Sequence, residues 1–181
     1  MAYDQHIRTE KELEAQLSGL LEVKSIFDEL GIKMFLTAGT LLGAVREKDF
    51  IKWDWNISVA FFDSELKNRL DYILQKLTEY NFEYKLTIKG DSKEFIGIKA
   101  RKDGATYIIE NLIKVGDYYL RPRHKIPSKL FKNYAPVELR NKEFDAPYPP
   151  ENYLVWYYGI DWRIPTRIDH RNDIISAESY R

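Results

Sequence analysis

Apolar positions recur at helical spacing near the start of the chain. Leu13, Leu17, Leu20, Leu21, Phe27 and Leu30 mark one face, as expected for an amphipathic helix over about residues 10–30. Thr9-x-x-Glu12 in front reads as a capping box, and Gly31 behind is placed to stop it. "IKMFLT" (32–37) then reads as a strand, "AGTLLGAVREK" as a shorter helix and "NISVAFF" as the next strand. Asp63 or Ser64 can cap "ELKNRLDYILQKLTEY", whose Leu66, Leu70, Ile73, Leu74 and Leu77 form an apolar stripe.

From about residue 82 to 120 the period changes to two. "FEYKLTIKG", "EFIGIKARK", "ATYIIENLIKV" and "DYYLR" alternate β-branched and aromatic residues with polar ones, and "GDS", "DG" and "GD" between them read as hairpin turns. "PPENYLVWYYG" (149–159) predicts a late helix with proline at its start and glycine at its end. Helices gathered early and strands in the middle predict an α+β fold, a mixed sheet with helices packed mainly on one face. No repeat or linker interrupts the pattern, so residues 1–181 read as a single domain.

Composition narrows the picture. With 181 residues and a hydrophobic fraction of 44%, the chain can bury a core without staples. Its 28 basic residues balance 28 acidic ones, which argues against broad nucleic-acid or anionic-membrane binding. The absence of cysteine excludes disulfides, thiolate zinc sites and cysteine nucleophiles. No signal-like h-region or membrane-length apolar run occurs, so the expectation is a soluble, cytoplasmic protein.

Three places can carry chemistry. Gly39-Thr40, at the passage from strand to helix, offers backbone N–H groups and a positive helix pole to a phosphate, although such a pair is more often a simple cap. Asp54, Asn56 and Ser58 stand at the mouth of the "NISVAFF" strand. Alternate strand residues share a face, so Asp-x-Asp there would hold a divalent cation, but the pair is Asn-x-Ser, two neutral oxygen donors. Glu110 sits inside the apolar "ATYIIENLI", where a carboxylate belongs either to a wet sheet face or to a site. Arg46, Arg121, Arg123 and His124 are further candidates for phosphate contacts.

Together these weak signals resemble a known signature. "AGTLLGAVREKDFIKWDWNISVAFF" (36–62 with its entering strand) is similar to the signature of the LicD and fukutin-related family, in the polymerase-β-like nucleotidyltransferase superfamily. The matching positions are Gly39, Thr40, Leu41, Leu42, Gly43, Arg46, Phe50, Ile51, Trp53 and Asp54. A closing motif over 149–165 matches through Tyr153, Leu154, Tyr158, Gly159, Trp162 and Pro165, so the resemblance runs from about residue 31 to 167.

The resemblance implies a phosphotransferase that moves a phosphocholine-like group from a CDP-linked alcohol to a sugar or glycan acceptor. It implies catalytic Asp54 and Glu110, and substrate contacts from Gly39, Thr40, Arg46, Trp53 and Trp55. It also implies Mg²⁺ held by Asp54, Asn56, Ser58 and Glu110, with Asn56 and Ser58 standing where the family has its two metal-binding aspartates. Lys52 replaces the proline of the usual Phe-Ile-Pro-Trp. Several readings stay open at this point: a transferase with an altered site, a member that binds nucleotide, sugar phosphate or a partner protein without turnover, a chain whose aspartates were replaced deliberately, and a plain interaction module displaying "YLVWYYGIDW".

Overall fold

The computed structural model describes residues 6–89, 94–121 and 125–165. The expected turn at 90–92, Arg123, His124 and the end of the resemblance beyond 165 lie outside the described residues. Fifteen elements follow in order: α1 (Glu10–Glu29), β1 (Phe35–Leu36), α2 (Ala38–Glu47), β2 (Asn56–Phe62), α3 (Asp63–Leu66), α4 (Leu70–Glu79), β3 (Glu83–Lys89), β4 (Glu94–Lys102), β5 (Ala105–Val115), β6 (Tyr118–Leu120), β7 (Lys125–Pro127), a single 3₁₀ turn (Ser128–Phe131), β8 (Tyr134–Leu139), β9 (Lys142–Pro147) and α5 (Pro150–Tyr158).

The expected capping box opens α1. The Thr9 hydroxyl accepts from the Glu12 amide at 3.4 Å while the Glu12 carboxylate accepts from the Thr9 amide at 2.7 Å. Gly31 ends the helix in the left-handed region, at φ 63°. Thr9→Ala should cost about 1 kcal/mol of stability, read from a urea melt. The Thr9 amide, then His6 and the Thr9 hydroxyl, hold the Glu12 carboxyl down to about 2. A depressed folded value contributes stability at pH above the usual carboxylate range, lost as pH falls through about 2. The box should therefore survive mild acid.

The strands form a mixed sheet in the order β3-β4-β5-β2-β1-β9-β8, with β6 and β7 continuing from β5 as a ribbon. β2 runs antiparallel to β1 and parallel to β5; β1 runs parallel to β9. The α+β fold with a mixed sheet is thus the one the sequence predicts. The β4–β5 turn at Asp103-Gly104 places both residues at positive φ (49° and 78°), the conformation a two-residue hairpin requires.

Alternation then sorts the sheet into two faces. Ile57, Val59 and Phe61 of β2 and Tyr107 and Ile109 of β5 line one face under α1. The Phe27 and Phe61 rings lie 5.1 Å apart, and the Tyr107 hydroxyl donates to the Gln16 carbonyl at 3.1 Å. α1 also packs against α4. Ser58, Ala60 and Phe62 lie on the opposite face, where Phe62 meets Tyr119, Phe131 and Tyr134. Tyr153 of α5 joins this aromatic layer through Phe131.

Two local expectations need correction. The apolar stripe after Ser64 forms two helices rather than one, because Lys67 takes φ 47° and breaks the run. The break lets Arg69 donate to the Leu30 carbonyl at 2.6 Å, at the end of α1. The β8–β9 hairpin escapes the pattern because its turn residues, Arg140 and Asn141, reach positive φ (50° and 59°) without glycine. Arg140 is fixed there by contacts from outside the hairpin: its guanidinium donates to Asp49 at 2.8 and 3.0 Å and pairs with Glu10. The strand expected at 32–37 shortens to two residues.

Candidate functional site

The site grows from the latch between α2 and β2. The chain turns from β1 into α2 at Ala38, which takes φ 45° at the start of the helix. That turn brings the first helical residues against the mouth of β2. The Thr37 amide donates to the Ser58 carbonyl at 3.0 Å, and the Ser58 amide donates to the Thr40 hydroxyl at 2.8 Å. Thr40 and Ser58, two candidates of the sequence pattern, are therefore joined, with Thr40 serving the backbone of β2.

Asp54 closes the same corner. One carboxylate oxygen accepts from the Asn56 amide at 2.9 Å. The other lies only 2.3 Å from where a Cβ on Gly39 would be, so the carboxylate rests against the first turn of α2 in space that glycine alone leaves open. The positive pole of a helix favours a negative charge there. The Tyr158 hydroxyl comes within 3.9 Å of the same point, which brings Gly39, Asp54 and Tyr158 together. Burial first, then the neighbouring Tyr157, Tyr153 and Asp54, push the Tyr158 hydroxyl well above its ordinary value, so it remains a donor at neutral pH.

Glu110 lies on the same sheet face as Ser58. β5 runs in register with β2, Ser58 opposite Ile108 and Ala60 opposite Glu110, so the carboxylate stands one step deeper than Ser58. It is buried, and Arg121 at the root of the ribbon is buried with it. The Arg121 Nε donates to Glu110 Oε1 at 2.9 Å and its Nη2 donates to the same oxygen at 2.5 Å. Its Nη1 donates to the Tyr153 hydroxyl at 3.4 Å, and the guanidinium sits over the Tyr157 ring at 5.2 Å. Burial opposes the Arg121 charge most, but Glu110 together with Tyr153 and Tyr157 more than offsets it and raises the guanidinium above its usual value. Glu110 Oε2 is buried and has no hydrogen-bond partner among the described residues.

The other candidates lie farther out. Arg46 stands in the last turn of α2, seven residues beyond Gly39 and so roughly 10 Å along the axis, where it donates to Glu47. Trp55 is turned toward the N-terminal segment, 5.5 Å from the His6 ring and 5.2 Å from the Arg8 guanidinium. Trp53 is half-buried against the core, and Asn56 is exposed at the mouth. Sequence reasoning singled out Arg121 as a phosphate contact; it missed the pairing with Glu110 and the part played by Tyr153 and Tyr157. The signal for the two tyrosines was their i,i+4 spacing in the closing motif, which stacks their rings 5.8 Å apart on one helix face.

The Mg²⁺ that the family implies does not fit these residues. A hard divalent cation needs carboxylate oxygens in number. Asn56 and Ser58 bring neutral oxygens, and the Glu110 charge is already matched by Arg121. Among the described residues no group of three His, Cys, Asp or Glu side chains is placed to hold a metal ion.

Comparison with solved structures finds the nucleotidyltransferase fold. The solution structure of the antibiotic-resistance factor ANT(2'')-Ia matches with TM-score 0.56 and 14% identity, over 92% of this chain and 82% of that one. The crystal structure of ANT(2'')-Ia in complex with adenylyl-2''-tobramycin matches with TM-score 0.55 and 12% identity, over 91% and 86%. Comparison with curated proteins returns no similar sequence. No helix among the described residues is long and apolar enough to cross a membrane. The model of the LicD/FKTN/FKRP nucleotidyltransferase domain matches residues 31–149, the stretch that builds α2, β2, Asp54 and the Glu110–Arg121 pair, and the chain belongs to that family.

Proposed function

We propose that the chain performs the phosphotransfer its family suggests, moving a phospho-alcohol group from a CDP-linked donor to a sugar hydroxyl in glycan synthesis. The observation that supports this reading best is the convergence of Gly39, Asp54 and Tyr158 at the first turn of α2, within the family-matched segment for the first two. There the Tyr158 hydroxyl can donate to a phosphate oxygen, and the exposed side-chain carboxamide of Asn56 can do the same from the mouth. Asp54 is the general base for the acceptor hydroxyl, because Glu110 is engaged by Arg121. The acceptor oxygen bonds to the β-side phosphorus of the donor, the bond from that phosphorus to the bridging oxygen breaks, CMP leaves, and the hydroxyl proton passes to Asp54. Trp53 would border the donor; Arg46 and Trp55 are farther from this corner and take no part in the step.

A second reading, binding without turnover, is favoured by the neutral Asn56 and Ser58. Metal clamping of phosphates supplies several kcal/mol of transition-state stabilisation in enzymes that use it, and each 1.36 kcal/mol is about tenfold in rate. Release of CMP from CDP-choline or CDP-ribitol, in the presence of a saccharide acceptor, separates the two readings. Turnover abolished by Asp54→Asn supports the transferase. Saturable binding of CDP-choline without CMP release supports the second reading, and no binding of any CDP-alcohol removes both. Gly39→Ala should weaken CDP-choline binding about tenfold, or about 1.4 kcal/mol, because its methyl would displace the Asp54 carboxylate. A titration by calorimetry reads that change.

A further inference from the structure

We propose that this site works without a divalent cation and that the Arg121 guanidinium is the built-in positive charge that takes the cation's place. The inference concerns the charge at the site and deepens the phosphotransfer reading, on which it rests for the ligand it serves.

In a two-aspartate site a metal ion balances carboxylates crowded on one sheet face. Here β2 presents Asn56 and Ser58 on that face, and the only carboxylate beside them on β5 is Glu110. The side chains of Glu110 and Arg121 are each 7% exposed and in direct contact. Buried charges are tolerated when paired and costly when single, so a buried glutamate that stays ionised on this face needs a cation beside it. The protein supplies one covalently. Arg121 reaches Glu110 from the residue just after β6, is braced by the Tyr153 hydroxyl, and is covered by the Tyr157 ring. A divalent ion on the remaining Glu110 oxygen would stand beside that guanidinium, in contact with a like charge.

The Ser58 geometry agrees independently. Its amide is bound to Thr40 and its carbonyl to Thr37. The strand mouth is thus stitched to α2 by hydrogen bonds within the protein, where a metal-assembled corner would depend on the ion. The corner should be formed in advance, and ligand binding should be indifferent to chelator.

The test is Mn²⁺ titration of the intact wild-type chain, followed by paramagnetic broadening of backbone amide signals. Mn²⁺ broadens every amide near it, so a bound ion reports its own position. The expected result is that amides of residues 56–60 and 108–112 keep their intensity with Mn²⁺ in large excess over protein. Broadening elsewhere on the surface, with these two strands spared, gives the same answer. Saturable broadening centred on Ser58 and Glu110 would overturn the proposal without needing any variant to fold. In parallel, the shift in thermal midpoint caused by CDP-choline should be equal in Mg²⁺ and in EDTA; a shift present only with Mg²⁺ would also overturn it. A chain that ignores both CDP-choline and Mn²⁺ would sink the proposed ligand, while the spared strands would still support the cation-free site.

Discussion

Arg121→Met should lower stability by about 3–5 kcal/mol, because it leaves Glu110 buried without its partner. For a chain of this size each kcal/mol moves the melting temperature by about 2–4 °C, so the variant should melt about 6–20 °C below the wild type. Burial pushes the Glu110 carboxyl up, and only the Arg121 charge and hydrogen bonds oppose that. Without them the carboxyl should take up a proton on folding, and the stability loss should shrink at acid pH. The sign follows from linkage: a group whose folded pKa is raised contributes most below its unfolded value and loses that contribution as pH rises through the folded one. Replacing both partners, as Glu110→Leu with Arg121→Met, should recover most of the loss, since apolar packing can substitute for a buried pair. A melt of Arg121→Met close to wild type at neutral pH would remove the pair from the forces that hold this corner together.

Gly97→Ala has the second largest expected effect and acts on the other side of Glu110. Gly97 pairs with Glu110 across β4 and β5 and takes φ 152°, which side-chain-bearing residues rarely adopt. A Cβ there would stand 2.5 Å from the Ile109 carbonyl oxygen and 3.3 Å from the Glu110 Cα. Both obstacles are backbone, so no rotamer change relieves them. Strain at such a position and overpacking each cost about 1–3 kcal/mol, and the variant should lose roughly 3 kcal/mol in a denaturant melt. Hydrogen exchange of the β5 amides should quicken more than that of β8 and β9, because the clash falls in the β4–β5 ladder. Equal protection in both regions would show that the sheet absorbs the methyl elsewhere.

Much of this molecule is legible in one dimension. α1 is written twice, in its apolar period and in its capping box, and the structure contains both. The β4–β5 hairpin follows from Asp103-Gly104, since glycine and aspartate enter the left-handed region cheaply. The segment from Gly39 to Ser58 carried the family signature, and the family model covers it. Patterns of this kind depend on neighbours in sequence, so a reading of the sequence reaches them. The break at Lys67 and the Arg140-Asn141 turn do not belong to that class. Each is held by a partner distant in the chain, the Leu30 carbonyl for the first and Asp49 with Glu10 for the second.

The same division runs through the candidate site. By itself the sequence determined the chemistry available: no cysteine, one carboxylate at Asp54, neutral oxygens at Asn56 and Ser58, and a glutamate at 110 in an apolar strand. It could not determine which charges meet. Glu110 and Arg121 are separated by the paired ends of β5 and β6 and the turn between them, and their contact depends on that antiparallel pairing bringing the end of β6 back beside β5. Gly39 and Asp54 meet because the Ala38 turn and the β2 register bring α2 against the strand mouth. Residue identity fixes what a side chain can donate, accept or carry, whereas charge balance is a property of distances of a few ångströms, and those distances exist only once the chain has folded.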